Sequence, residues 1–234
     1  MAPGYAAAAG RLLEFIRRTE TGRTGREAYD VVYGHHQAEL PKPVTRSTIA
    51  EVIAGGGARA ARWGSSAAGA YQFMRATLQG LQAALGLSGR AVMSPDLQDR
   101  LAMALLERRG LARFIAGEIS PVAFARNLAM EWASLPVLAP TRRGTREVKR
   151  GQSYYAGDGR NRALVAPERI EALLAEVMAL ARTGAPEPEP AVEPARRGRG
   201  GIAALIAALV ALGAVIAANW SQFVDMVLSL FGGI

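Results

Sequence analysis

Three observations predict a predominantly helical α+β fold. Apolar residues recur every three to four positions in several stretches. A Gly- and Pro-rich stretch over 20–65 interrupts them with a β-like run. A charge-free apolar segment follows a Pro/Glu linker near the C-terminal end. The chain has 234 residues, of which 50% are hydrophobic. That is enough for one sizeable domain with a packed core and appendages.

The elements follow in chain order. Leu12, Leu13 and Ile16 form a helical stripe over about 5–19. Tyr29-Asp30-Val31-Val32-Tyr33 reads as extended, and Gly55-Gly56-Gly57 as a turn. Together they predict a small irregular β lobe near residues 25–62. Helical pattern resumes over 67–85. Ser94-Pro95-Asp96 is a cap, a first-turn proline and an acid; Leu97, Leu101 and Leu105 then stripe one face, and Gly110 stops the helix. Ser120-Pro121 opens another helix, with Phe124, Leu128, Trp132 and Leu135 facing inward. At this spacing Trp132 reads as core and Glu131 as a salt-bridge partner. A last amphipathic helix covers about 167–181.

Residues 1–182 therefore read as one domain and 183–200, TGAPEPEPAVEPARRGRG, as an extended linker. Residues 201–218, GIAALIAALVALGAVIAA, carry no charge. At about 1.5 Å rise per residue they nearly span a hydrocarbon core of about 30 Å, so a transmembrane helix is expected. A hydrophobic tail, 219–234, follows, with Trp220 and Phe223 where interfacial anchors belong. Arg196, Arg197 and Arg199 precede the segment, and the positive-inside bias places that end and the domain on the cytoplasmic side. MAPGYAAAAGRLLEFIRR has a short apolar part with no basic residue before it, so no signal peptide is expected.

The net charge is +8 and almost wholly arginine; lysine occurs only at Lys42 and Lys149. A basic surface favours anionic partners such as nucleic acid, anionic lipid or an acidic cell-wall polymer. No nucleic-acid motif accompanies it, and no nucleic-acid partner is expected. Cysteine is absent, which excludes disulfides and thiolate metal sites. His35 and His36 are adjacent with no third ligand near, so neither a metal nor another cofactor is expected.

One carboxylate stands in an unusual place. Leu13, Ile16 and Glu20 are spaced three and four apart and share one helical face, so Glu20 lies on the apolar stripe. Partial burial and the C-terminal end of the helix dipole both penalise its ionised form. Such an acid keeps its proton near neutrality and can serve as a general acid. Alternatively, Glu20 pairs with Arg23 or Arg26 and organises the loop. Downstream, GSSAAGAYQF sets the small residues Gly64 and Gly69 beside Ser65, Ser66, Tyr71 and Gln72. Hydroxyl and amide groups next to an aromatic face suit a sugar ring.

These stretches, in order, resemble the bacteriophage lambda-type lysozymes, lytic transglycosylases of the lysozyme-like superfamily. Thr19-Glu20-Thr21-Gly22 stands where that family has its catalytic Glu, and Tyr29-Asp30-Val31 follows. Ser66-Ala67-Ala68-Gly69-Ala70-Tyr71-Gln72 is similar to a stretch of the family's cleft. Ser94-Pro95, Gln98-Asp99 and Glu107-Arg108-Arg109-Gly110-Leu111 match a helix and its stop. Trp132-Ala133-Ser134-Leu135-Pro136 closes the match, which spans about 10–182. Residues 137–162 depart from the family in being longer and richer in arginine. Within them, Tyr154 and Tyr155 form a sugar platform, or one of them packs against the core.

The resemblance implies a two-lobed lysozyme-like domain holding peptidoglycan glycan strands in its cleft. It implies an endolysin that cuts between N-acetylmuramic acid and N-acetylglucosamine during host cell lysis, with Glu20 as catalytic acid and base. Ser66, Gly69, Tyr71, Gln72, Tyr154 and Tyr155 would bind substrate. The enzyme is a transglycosylase or a hydrolase, the first being favoured. Only an inverting hydrolase needs a second carboxylate to position water, about 6.5–9.5 Å away; Asp30 and Glu39 are the candidates. The membrane segment suggests anchorage in the bacterial inner membrane, release on depolarisation, action in the periplasm and a holin as functional partner. The competing reading is a non-catalytic, membrane-anchored murein-binding protein that keeps the cleft.

Overall fold

The computed structural model describes residues 3–159 and 161–183. The expected linker beyond Thr183, the membrane segment over 201–218 and the tail over 219–234 lie outside them. Among the described residues no helix is long and apolar enough to cross a membrane.

The described part is predominantly helical. Its helices are α1 (Pro3–Thr21), α2 (Ile49–Trp63), α3 (Arg75–Ala84), α4 (Pro95–Arg108), α5 (Leu111–Ile115), α6 (Pro121–Glu131) and α7 (Pro167–Arg182). Three short 3-10 segments, Arg26–Asp30, Tyr33–Glu39 and Val44–Arg46, fill the stretch between α1 and α2. The one sheet among the described residues is a hairpin, β1 (Thr141–Arg143) antiparallel to β2 (Arg146–Val148), with Arg142 opposite Glu147.

Helix boundaries follow side-chain chemistry. The Ser94 and Ser120 hydroxyls accept from the Leu97 and Ala123 amides, and a proline follows each serine at the first helical position. Thr48 and Glu51 form a reciprocal capping box at the start of α2. Gly110, at φ +96°, ends the α4 run in the left-handed region that glycine adopts freely. The stripes read from the sequence are the buried faces, with Leu13 only partly buried. Leu12, Ile16, Leu101, Leu105, Phe124, Leu128, Trp132 and Leu135 are all buried. Each side chain of this size contributes roughly 1.5–3 kcal/mol by leaving water. Helix α1 packs along α7, where Arg11 meets Glu176 at 2.8 Å.

Residues 25–62 do not form the expected β lobe. Tyr29, Val31 and Val32 are buried in close succession, whereas a half-buried strand would alternate its faces. Gly34 and His35 then adopt φ +70° and +61°, which breaks any extended run. Two isolated bridges remain, Val32 to Ala68 and Thr48 to Val92. Gly55-Gly56-Gly57 is not a turn but the middle of α2. A Cβ at Gly56 would come within 3.0 Å of the Arg75 side chain, so the glycine lets the chain at the start of α3 approach closely. Helical structure also starts later than the 67–85 pattern suggests, at Arg75. Residues before it form a tight turn closed by the Ala68–Phe73 bridge.

Candidate active site

Glu20 is the penultimate residue of α1. The helix stops just beyond it: the Gly22 amide donates to the Arg18 carbonyl at 2.9 Å, with Gly22 at φ +67°. Thr21, buried, donates its hydroxyl to the Arg17 carbonyl at 2.7 Å. The Glu20 carboxyl is densely surrounded by protein, yet the residue keeps part of its surface open to solvent. Burial pushes its pKa up to about 7, and a hydrogen bond from the Ser134 hydroxyl to Oε1 works against the rise. Arg23 and Arg26 are exposed and form no ion pair with Glu20. The loop-organising alternative therefore gives way to an acid held by one neutral donor.

Ser134 sits in the run Trp132–Leu138, buried except at Ala133 and carrying no charge. The run is fastened at both ends. The Leu164 amide donates to the Ser134 carbonyl at 2.8 Å, and Pro136 bridges to Ser153. A serine inside an otherwise apolar run was the signal available in the sequence, but nothing there paired it with a residue 114 positions away.

The Ser66–Gln72 turn is built from most of the other expected contacts, and the structure gives these residues architectural partners. Tyr71 is 1% exposed and offers no face to a sugar, contrary to its expected substrate role. Its hydroxyl donates to Asp99 at 2.6 Å, as does that of Tyr29 at 2.9 Å, while Arg17 donates to the Tyr29 oxygen at 2.7 Å. Burial raises both phenol pKa values, with Asp99 adding to the rise. Ser66, also buried, accepts from the Arg75 amide at 3.0 Å. Gly69 adopts φ +81°, and a Cβ there would lie 2.3 Å from the Gln98 amide oxygen. Gln72, at φ +48°, donates its side-chain amide to the Val31 and Gly69 carbonyls.

Gln98 joins these pieces. Fully buried, it accepts from the Ala70 amide at 2.8 Å and donates to the Tyr29 and Met93 carbonyls at 3.0 and 2.8 Å. Gln98-Asp99 was visible as a motif, but its function as the hub of three chain segments was not. Tyr154 and Tyr155 meet edge-on at 5.4 Å. Tyr154 packs against the core; the Tyr155 hydroxyl donates to the Met130 carbonyl at 2.8 Å, and the Arg143 guanidinium covers its ring at 4.6 Å. The packing alternative therefore describes Tyr154, and the covered Tyr155 face is taken by an arginine.

The two candidates for a second carboxylate are both engaged elsewhere. Asp30 accepts from the Thr45 amide at 2.7 Å and from its hydroxyl at 3.2 Å. Glu39 is exposed and pairs with Arg62 and with His36, at 2.6 Å from the latter. Among the described residues no group of three His, Asp or Glu side chains could hold a metal ion.

A partly accessible carboxyl that keeps its proton near neutrality, at the end of a core helix, is the equipment of an acid catalyst. A family model described as Endolysin matches residues 11–161, and the chain belongs to that family, which makes it a peptidoglycan-degrading lytic enzyme. The match contains Glu20, Ser134, the Ser66–Gln72 turn and the Gln98-Asp99 hub. No curated protein matches the chain. No solved structure matches it either.

Proposed function

We propose that this endolysin cleaves the bond between N-acetylmuramic acid and N-acetylglucosamine, on a lysozyme-like fold, with Glu20 as general acid and then base. The observation that carries the reading is the Glu20 pKa of about 7, set by burial and restrained by a neutral hydroxyl. Below that pH the carboxyl holds a proton to give to the glycosidic oxygen as the C1–O bond breaks. The resulting carboxylate then takes a proton from the attacking group. In a transglycosylase that group is the muramic acid 6-hydroxyl, and a 1,6-anhydro ring forms. In a hydrolase it is water.

The transglycosylase route is favoured because it needs no second carboxylate, and both Asp30 and Glu39 are committed to other partners. Ser66, Gly69, Tyr71 and Gln72 serve in this reading by shaping the turn rather than by gripping sugar. Incubating the full-length protein with purified sacculi should release muropeptides with 1,6-anhydro ends, read by mass spectrometry. Reducing ends would select the hydrolase. A Glu20→Gln protein as active as the parent would sink the reading.

We further propose that residues 201–218 tether the enzyme to the inner membrane until a holin-type lesion collapses the potential and frees it for the periplasm. The support is the charge-free but Ala- and Gly-rich composition of the segment, which makes insertion only modestly favourable. Cell fractionation before and after depolarisation should move the protein from the membrane pellet to the soluble fraction. Complete retention in the pellet would count against release.

A further inference from the structure

A groove of about 350 Å³ lies beside α2, and Glu20 and Ser134 are not among its lining residues. Its walls include the apolar side chains of Leu40, Pro41, Val44 and Val52. Arg59 also lines it, although that residue is only 7% exposed. A buried guanidinium ordinarily has a carboxylate partner, because an uncompensated charge away from water is costly. Arg59 has none among the described residues. Its Nη2 donates to the Val52 and Ser66 carbonyls at 2.8 and 3.1 Å, and Nε reaches Ser66 at 3.4 Å. Among the described residues Nη1 makes no hydrogen bond, and it lies where a Cβ on Gly55 would come within 3.1 Å of it. Gly55 is thus bare where the guanidinium needs room.

The carboxylates that could neutralise Arg59 are engaged at the rim instead. Glu51 is held by Lys42 at 2.8 Å, and Glu39 by Arg62. Trp63 stands at the same rim, stacked on His36 with ring centroids 4.9 Å apart. The groove therefore offers a cation within that no carboxylate neutralises, and apolar walls. A short peptide bearing carboxylates and methyl groups has the complementary pattern.

We propose that this groove binds the peptide stems of murein, with a stem carboxylate on Arg59 Nη1 and its alanine methyls against Leu40 and Pro41. The choice of murein as the source of the peptide rests on the proposed glycan-cleaving function. The unpaired guanidinium does not. Arg59 also holds the Ser66 carbonyl, so an occupied groove would brace the turn that begins there.

The test uses the full-length Glu20→Gln protein, so binding is read without turnover and a failure of the catalytic reading leaves it intact. Isothermal titration with the tetrapeptide L-Ala-D-γ-Glu-L-Lys-D-Ala should show saturable binding. Amidating the peptide carboxyl groups should weaken it by about ten-fold or more, the worth of a charge-assisted hydrogen bond. Ala58, exposed on the groove wall, can be enlarged without touching the Arg59 hydrogen bonds. Ala58→Phe should abolish peptide binding while leaving the melting temperature unchanged. Equal binding of the acid and amidated peptides, undiminished binding by Ala58→Phe, or equally tight binding of inorganic phosphate would each overturn the proposal.

Discussion

Helix α6 ends on Glu131 and Glu20 stands one residue before the end of α1, and the two glutamates have opposite surroundings. Glu131 closes α6 with its side chain 7% exposed, and both Arg108 and Arg109 reach its Oε2, at 2.9 and 2.8 Å. Glu20 nearly closes α1 and has only the Ser134 hydroxyl. Each helix terminus disfavours an anion. At Glu131 two guanidinium groups offset that penalty, and the carboxylate becomes a clasp between α4 and α6. At Glu20 no cation does so, and burial pushes the carboxyl pKa up to about 7. Position on a helix therefore does not decide how a terminal carboxyl is held; the partner does.

The largest effect should come from breaking the Glu20 side of the comparison. Glu20→Gln should lower turnover of sacculi by about 10²–10⁴-fold, the usual contribution of general acid–base catalysis. It should also stabilise the protein at neutral and alkaline pH. The folded pKa of about 7 lies above the ordinary value of 4.5, so between those values the native state binds more protons than the unfolded one. Parent stability then falls as pH rises through that window and levels off above it. Denaturant titrations at several pH values should show the Gln variant ahead by ~2–3 kcal/mol above the window and by little below it.

Glu131→Gln comes next and should do the reverse. It should cost about 1–2 kcal/mol of stability, since the freed arginines can reach water, and leave turnover at neutral pH within a factor of about two. Loss of turnover with folding intact would show that the clasp belongs to the site. The smallest effect is expected from Ser134→Ala. Removing the donor removes the influence that lowers the Glu20 pKa, so the alkaline limb of the pH–activity profile should move upward, by less than about one unit. A downward move would mean that the hydroxyl is not the group restraining the proton.

The sequence made the helical frame legible because apolar periodicity and caps act locally. Ser94-Pro95, Ser120-Pro121 and the Leu97–Leu101–Leu105 stripe all produce what their spacing suggests. Glu20 was legible for the same reason: its place on the apolar face follows from the helix alone. Residues 25–62 were not, because the same glycines that mark turns also permit close packing. Gly55 and Gly56 make room for arginines, a tertiary reason that no local pattern carries. Tyr71 misled in another way. An aromatic flanked by small polar residues suits a sugar face, yet its hydroxyl found Asp99 and the ring went inside. Ser134 and Gln98 act across long chain separations, so their roles appear only when the chain is folded.

The Gly69–Gln98 contact has an evolutionary consequence. Any side chain at residue 69 would collide with the Gln98 amide and also force an unfavourable backbone angle. Any shortening at 98 would strand an amide and two carbonyls in a dry interior. The two positions are therefore epistatic: a lineage cannot leave this pair by single tolerated steps from either side. Among divergent relatives, Gly and Gln should be retained or replaced together, and a chain that keeps one without the other should have rebuilt the whole turn.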